Sequence, residues 1–267
     1  MTIPTEPTVR IREAAQRLAD AEATRVPCSP IRELIAPDDI DAAYEVQQRN
    51  VSAAEEAGRK ITGRKIGLTS PAVQRQLGVD QPDFGVLYAD MDVSSSTEIP
   101  INRLLQPKVE AEVAFVLARS ITEPVTAETA RDHVSEVIAA FEIVDSRVAD
   151  WDISLADTIA DNASSGLYVL GDRLAASSAP DLVSVTMTVT DAQGGTLSSG
   201  TGADCLGSPY SALAWLANTA LRFGSPLQEG DVILSGALGP MVPVTPGATY
   251  RASISGIGSV TAAFTAN

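Results

Sequence analysis

The stretch Pro107-Lys108-Val109-Glu110-Ala111-Glu112-Val113-Ala114-Phe115-Val116-Leu117 decides how the rest of the chain is read. In a strand, alternate residues share a face and lie about 6.5–7 Å apart along it. Glu110 and Glu112 therefore point the same way, followed on that face by Ala114 and Val116. Val109, Ala111, Val113, Phe115 and Leu117 occupy the other face. Both faces turn apolar, as expected of a strand in the interior of a sheet. Two carboxylates on one face of an interior strand repel each other and lose hydration. The spacing admits two readings: glutamates solvated at the mouth of a sheet, or glutamates sharing a divalent cation. Oxygen-only ligands suit a hard ion such as Mg²⁺ or Mn²⁺.

A third carboxylate strengthens the second reading. Glu142 lies in Phe141-Glu142-Ile143-Val144-Asp145-Ser146-Arg147, a second strand with apolar neighbours. Three interior glutamates from two strands would form an oxygen triad with coordination positions left for substrate and water. Asp145 competes for the same role, or it pairs with Arg147 or caps the following turn.

Residues from Val9 to Ala57 carry helical periodicity, with Ile11, Ala14, Ala15 and Leu18 on one face. A second helix is expected from Pro37 to Gly58, with Asp38 and Asp39 as N-terminal acids and Gly58 as its stop. From Gly63 the texture changes to short apolar runs punctuated by Gly and Pro. Strands are expected at Lys65–Leu68, Val109–Leu117, Ile138–Asp145, Gly166–Leu170, Val183–Thr190, Val232–Ser235, Tyr250–Ile254 and Ser259–Phe264. Asp191–Gly195 reads as a hairpin turn, and Pro209–Phe223 as a helix. The segment around His133, TAETARDHVSEVIAA, also reads as helix. These elements predict an α+β protein with a large mixed or antiparallel sheet, organised as an N-terminal helical lobe over residues 1–62 and a β-rich catalytic domain over 63–267.

Composition narrows the function. The 267 residues carry 19 Lys and Arg against 34 Asp and Glu, a formal net charge of −15, which argues against a nucleic-acid partner. A small anionic substrate would need local compensation from a metal or a few cations. The single histidine excludes a polyhistidine zinc site, and the two cysteines, Cys28 and Cys205, form no disulfide framework. No segment approaches the ~20 apolar residues of a membrane span, and the N-terminus lacks the apolar core of a signal peptide, so a cytoplasmic location is expected.

Several collinear segments resemble the 2-keto-4-pentenoate hydratases of the fumarylacetoacetate hydrolase superfamily. They are GRKIGLTS (63–70), AVQRQLGVDQPDFGVLYADM (72–91), LLQPKVEAEVAFVL (104–117), FEIVDSRVADWDI (141–153), DTIADNASSGLYVLG (157–171), SSGTGADCLGSPYSALAWLAN (198–218), GDVILSGALGPMVPV (230–244) and ISGIGSV (254–260). The resemblance covers residues 40–265 and implies the fumarylacetoacetate hydrolase-like fold. It implies Mg²⁺ or Mn²⁺ on Glu110, Glu112 and Glu142, catalytic roles for Lys65 and Asp83, and a substrate pocket bordered by Leu77, Ser164 and Ser165. Lys108 carries no implied role and is expected to be solvated or salt-bridged.

The implied reaction converts 2-hydroxypenta-2,4-dienoate into 4-hydroxy-2-oxopentanoate, a step of meta-cleavage aromatic catabolism. Lys65 would bind a substrate oxygen and manage protons with a pKa lowered by burial, while Asp83 would orient water or move the proton. The resemblance also implies a homo-oligomer and admits a complex with a pathway aldolase. Alternatives are a sibling 4-oxalocrotonate decarboxylase, a C–C bond hydrolase, which His133 lies too far from the matched motifs to serve, and a non-catalytic scaffold subunit.

Overall fold

The computed structural model of the chain describes residues 7–70, 74 and 81–267. Two helices open it, α1 (Pro7–Thr24) and α2 (Ile40–Glu56), and both bury one apolar stripe. The Asp39 side chain accepts the Ala42 N–H and caps α2, and Gly58 lies beyond its last turn at φ 93°. Eleven strands follow among the described residues: β1 (Ile61–Gly67), β2 (Asp83–Tyr88), β3 (Lys108–Leu117), β4 (Val134–Val144), β5 (Ser165–Ala175), β6 (Thr186–Asp191), β7 (Thr196–Thr201), β8 (Val232–Ala237), β9 (Val242–Pro243), β10 (Thr249–Ile254) and β11 (Gly258–Ala263). Helices α3 (Ala127–Arg131), α4 (Leu155–Ala160) and α5 (Pro209–Arg222) sit between them.

Seven strands make one sheet in the order β2-β1-β8-β3-β4-β5, with β9 pairing on β3. Only β1 and β8 run parallel within it. The antiparallel order β11-β10-β6-β7 makes a second sheet of four. The α+β architecture with a large mixed sheet is as expected. The Asp191–Gly195 turn is present, closed by the Gly195 N–H donating to Asp191 Oδ1 at 2.7 Å.

Three local expectations fail. The segment around His133 is helical only over Ala127–Arg131, and Val134 already begins β4. Its Ala, Glu and Arg content favours helix, but β4 is gripped by β3 on one side and β5 on the other, and tertiary pairing overrides local preference. Strand β2 was not expected, because Gln-Pro-Asp reads as a turn. Nor was β7, whose TLSSGT lacks an apolar face.

The expected boundary after residue 62 falls inside β1. Helices α1 and α2 share one apolar cluster with the strands, from Ile11 and Val46 through Phe115 to Phe264. Polar ties cross the same boundary: Gln47 Nε2 donates to the carbonyls of Phe84 and Ile159 at 2.8 and 2.9 Å. No helix among the described residues is long and apolar enough to cross a membrane.

Candidate functional site

The register of β3 against β4 sets the site. Glu110 stands directly opposite Glu142, and Glu112 lies two residues further along the same face of β3. One oxygen from each of the three carboxylates falls within 4.8 Å of the others. Glu112 and Glu142 are 0% and 1% exposed, and Glu110 is partly exposed toward a cavity. Like charges directly across a strand pair are destabilising, so this arrangement is not explained by folding alone.

On the other flank, β8 carries one extra residue opposite β3, between the pairs Glu112↔Ala237 and Ala114↔Leu234. The bulge turns the Gly236 N–H onto Glu112 Oε2 at 2.8 Å. Only glycine fits there: its φ is 101°, and a Cβ would stand 2.4 Å from the Thr69 side chain.

Strand β1 brings Lys65 into the same cluster, 2% exposed, with Nζ 3.0 Å from Glu142 Oε1 and donating to the Ala163 carbonyl at 2.8 Å. Asp83 starts β2 opposite Gly67, and a Cβ at Gly67 would come within 2.1 Å of its Oδ1. The Thr158 hydroxyl of α4 donates to Asp83 Oδ2 at 3.1 Å, while Oδ1 is buried without a hydrogen-bond partner.

The Ala163 carbonyl is presented by an unusual turn. Asn162, Ala163 and Ser164 have φ of 54°, 51° and 51°, left-handed values that are costly for side-chain-bearing residues and persist where the surroundings fix them. Here the Asn162 side chain accepts the Val86 N–H at 2.7 Å and donates to the Val86 carbonyl at 2.9 Å, on the outer edge of β2.

A cavity of about 240 Å³ opens over these groups, lined among others by Lys65, Asp83, Glu110, Ser164, Thr158, Lys108, Trp151 and Met241. Ser164 thus stands where a pocket residue was expected. Ser165 does not: it begins β5, its hydroxyl donates to the Asn162 carbonyl at 2.7 Å, and it faces two small cavities beside Arg147. The left-handed turn that ends at Ser164 sends the two side chains to different surroundings. Leu77 lies outside the described residues. Lys108, expected to be solvated or salt-bridged, instead rests its Nζ 4.0 Å from the centre of the Trp151 ring. Neither Trp151 nor Thr158 was singled out by its sequence; the only signal was their position in the VADWDI and DTIADN segments.

The electrostatics follow from burial. Desolvation raises the pKa of Glu110 and Asp83, and raises Glu112 well above the usual carboxylate range, with Glu142 and Glu110 adding repulsion. Glu142 is pushed up to about 7 by burial, against the pull of Lys65. Burial alone would lower the Lys65 pKa, but Glu142, Asp83, Glu110 and Glu112 outweigh it and hold the ammonium above its normal value. In the cation-free site these acidic neighbours thus oppose the lowering that burial alone would give.

The donor set fits a hard divalent cation. Both oxygens of Glu142 and Oε1 of Glu112 are buried without a hydrogen bond; the Lys65 contact to Glu142 is an ion pair outside hydrogen-bond alignment. Buried carboxylate oxygens left in this condition are costly unless a cation takes them. Glu110, Glu112 and Glu142 could hold that cation through oxygen alone.

Comparison with known proteins agrees with this geometry. The family described as fumarylacetoacetate hydrolase C-terminal matches residues 60–265. The chain is 50% identical over 263 residues to the TodF product hydratase of Pseudomonas putida F1, covering 98% of each. It is 49% identical over 256 residues to a 2-keto-4-pentenoate hydratase of Paraburkholderia phymatum, covering 96% of this chain and 97% of the relative. Among solved structures it superposes on 4-oxalocrotonate decarboxylase from Pseudomonas putida G7, complexed with magnesium and adipate, with a TM-score of 0.91 at 29% identity, over 98% of this chain and 100% of that one.

Proposed function

The chain belongs to the fumarylacetoacetate hydrolase family, and from that membership we propose that it is a divalent-metal-dependent hydro-lyase converting 2-hydroxypenta-2,4-dienoate and water into 4-hydroxy-2-oxopentanoate. Near-full-length identity of about half to proteins named as hydratases supports the reaction class. One structural observation carries the chemistry: Glu110, partly exposed, converges with buried Glu112 and Glu142, whose buried oxygens include three without a hydrogen bond, beside buried Lys65. Mg²⁺ or Mn²⁺ is the proposed ion, because the donors are all oxygen.

When bound, the cation supplies Lewis acidity at the 2-oxo acid end of the substrate. Lys65, buried with its Nζ beside Glu142 and donating to the Ala163 carbonyl, is placed to donate a hydrogen bond to the substrate oxygen and to stabilise the charge that develops there. Asp83 is the better proton carrier: its Oδ1 is free of partners, its Oδ2 is steadied by Thr158, and burial raises its pKa toward the working range. In this scheme Asp83 receives the proton of the 2-hydroxyl and returns it at C5, giving the conjugated enone. The carboxylate, open again, takes one proton from the water as its hydroxyl adds at C4 and delivers that proton to C3. Ser164 borders the substrate, and Leu77 is proposed to do so as well.

The N-terminal lobe (1–62) and β-rich catalytic domain (63–267) are proposed as one working unit. A cytoplasmic homo-oligomer, with an aldolase of the same pathway as partner, completes the reading. Following dienoate absorbance with the purified protein tests the core of it. Absorbance should decay without release of CO₂, stop with chelator, and return with Mg²⁺ or Mn²⁺. CO₂ release from a 4-oxalocrotonate substrate would favour the decarboxylase instead, and failure to bind either metal would favour a scaffold.

A further inference from the structure

Behind the catalytic cavity lies a second, larger one. Lys65 and Asp83 point to one face of β1 and β2, and their chain neighbours Arg64 and Phe84 point to the other. There α2, β1, β2 and the residues just after α5 surround a cleft of about 570 Å³, within the range of small-molecule sites. One end of the cleft is aromatic. Tyr44 stacks on Phe84 with ring centres 4.8 Å apart, and Phe223 leans on Tyr44 at 4.7 Å. Phe223 is 45% exposed, so its ring is open to a ligand. The other end is charged. Arg64 is 8% exposed, yet among the described residues no carboxylate is ion-paired with it. Of its five guanidinium N–H groups, one goes to the Gly63 carbonyl at 3.2 Å and one to the Ser225 hydroxyl at 2.8 Å, and Nε has no partner. Burial lowers the Arg64 pKa, and Asp231, Tyr88 and Glu55 oppose that pull. A buried cation without its anion is costly, and Arg147, whose guanidinium is met by Asp161, shows how this fold settles the same problem elsewhere.

We propose that this cleft is a binding site for an aromatic α-amino acid, with its carboxylate on Arg64, its ammonium on Glu55 and its ring among Tyr44, Phe84 and Phe223. Arg64 pairs with Val86, two residues along β2 from Phe84, so the cation and the ring start one strand step of about 6.5–7 Å apart. A molecule the size of phenylalanine bridges that step. The planar guanidinium, with N–H groups to spare, matches a carboxylate. The rim decides the rest of the ligand, because Asp41, Glu45 and Glu55 line the same cleft and are exposed. An aryl acid would satisfy Arg64 and meet those carboxylates unscreened at short range. An aryl amine would suit the rim and leave Arg64 without an anion. A zwitterion that carries both charges on one carbon and a ring at the other end answers the guanidinium, the acidic rim and the aromatic floor together.

The probes are L-phenylalanine, 3-phenylpropionate and 2-phenylethylamine, the last two each lacking one charge. Titrated by calorimetry into the full chain in Mg²⁺, L-phenylalanine should bind about tenfold or more tightly than either analogue. Arg64→Met should weaken it by about tenfold or more. The unfolding temperature of that variant should stay level or rise, because an unpaired buried charge gives way to an apolar chain. Phe223→Ala, at an exposed ring, should weaken L-phenylalanine by about threefold or more. Glu55→Gln should weaken L-phenylalanine and leave 3-phenylpropionate unweakened. Glu112→Gln, on the other face of the sheet, should change nothing. The proposal is overturned if L-phenylalanine does not bind, if 3-phenylpropionate binds as tightly, or if affinity is unchanged in Arg64→Met, Phe223→Ala or Glu55→Gln. Loss of binding in Glu112→Gln overturns it as well, since the amino acid would then sit on the cation of the catalytic cavity.

Discussion

Two buried acidic clusters lie a few residues apart, and they are opposites. In one, Glu110, Glu112 and Glu142 crowd together with three buried oxygens that lack a hydrogen bond, and Glu142 is met only by the Lys65 ammonium. In the other, Asp145, Asp157 and Asp161 are as deeply buried but fully engaged. Asp161 takes the Arg147 Nε at 2.6 Å and the Arg147 N–H at 3.0 Å. Asp145 accepts the N–H groups of Leu105 and Gln106 at 2.9 and 2.7 Å, and Asp157 accepts that of Ile31 at 2.8 Å. Burial alone does not distinguish a functional carboxylate from a structural one. What distinguishes them is whether the fold has already supplied enough counter-charge and donors for every buried oxygen. Asp145, a competitor for the third ligand position on sequence grounds, belongs to the satisfied cluster.

Neutralising one member of each cluster should have opposite consequences. Glu112→Gln should lower kcat by about a thousandfold or more, roughly 4 kcal/mol, because a group proposed to hold the Lewis acid is lost. Its thermal unfolding temperature in chelator should stay level or rise. The sign follows from linkage: a carboxyl whose folded pKa is raised above its unfolded value loses stability as pH rises from the unfolded value through the folded one. At neutral pH the amide avoids that loss. Asp161→Asn should do the reverse, destabilising the fold by about 3–5 kcal/mol in denaturant titrations by leaving the fully buried Arg147 without its anion. A Glu112→Gln protein that unfolds as readily as Asp161→Asn would erase the distinction.

The second test concerns protons. Because Glu142 sits at about 7, it is partly protonated at neutrality, and a cation must displace that proton to bind. Metal affinity should fall by about tenfold or more per pH unit below 7, since Glu110 and Glu112 are raised as well. Calorimetry in buffers of differing ionisation enthalpy should register proton release near pH 7. The satisfied cluster predicts no such coupling, so pH-independent metal affinity would place the triad in the same class as Asp161.

How far these clusters could be read without coordinates depends on the range of the interaction. The shared face of Glu110 and Glu112 was legible, because a strand's period of two is local. The pairing of Glu110 with Glu142 was not: it depends on the β3–β4 register, set across the intervening residues 118–133. Nor does any short-range pattern place Asp83 beside Lys65, since β1 and β2 are joined through residues 68–82; only the likeness of long motifs to a known family did so. The left-handed run at Asn162–Ser164 was equally hidden, as its side chains are ordinary and its strain is imposed by Val86 and Lys65. The same turn explains why Ser164 and Ser165, adjacent in sequence, part company in space.

The smallest effect is the most discriminating for Asp83, which stands between the two classes: one oxygen is satisfied by Thr158 and the other is open. The Thr158 hydroxyl stabilises the charged carboxylate and so restrains the rise in pKa caused by burial. Thr158→Val keeps the shape and removes the donor. The Asp83 pKa should rise further, moving the acidic limb of the pH–rate profile to higher pH by a fraction of a unit. The maximal rate should fall by only about three- to tenfold, with stability changing by about 1 kcal/mol. Asp83→Asn, by contrast, should abolish that limb and most of the rate. If Thr158→Val leaves the limb in place, Asp83 is not the titrating proton carrier. Its open oxygen would then have to be explained by the neighbouring ammonium of Lys65 alone.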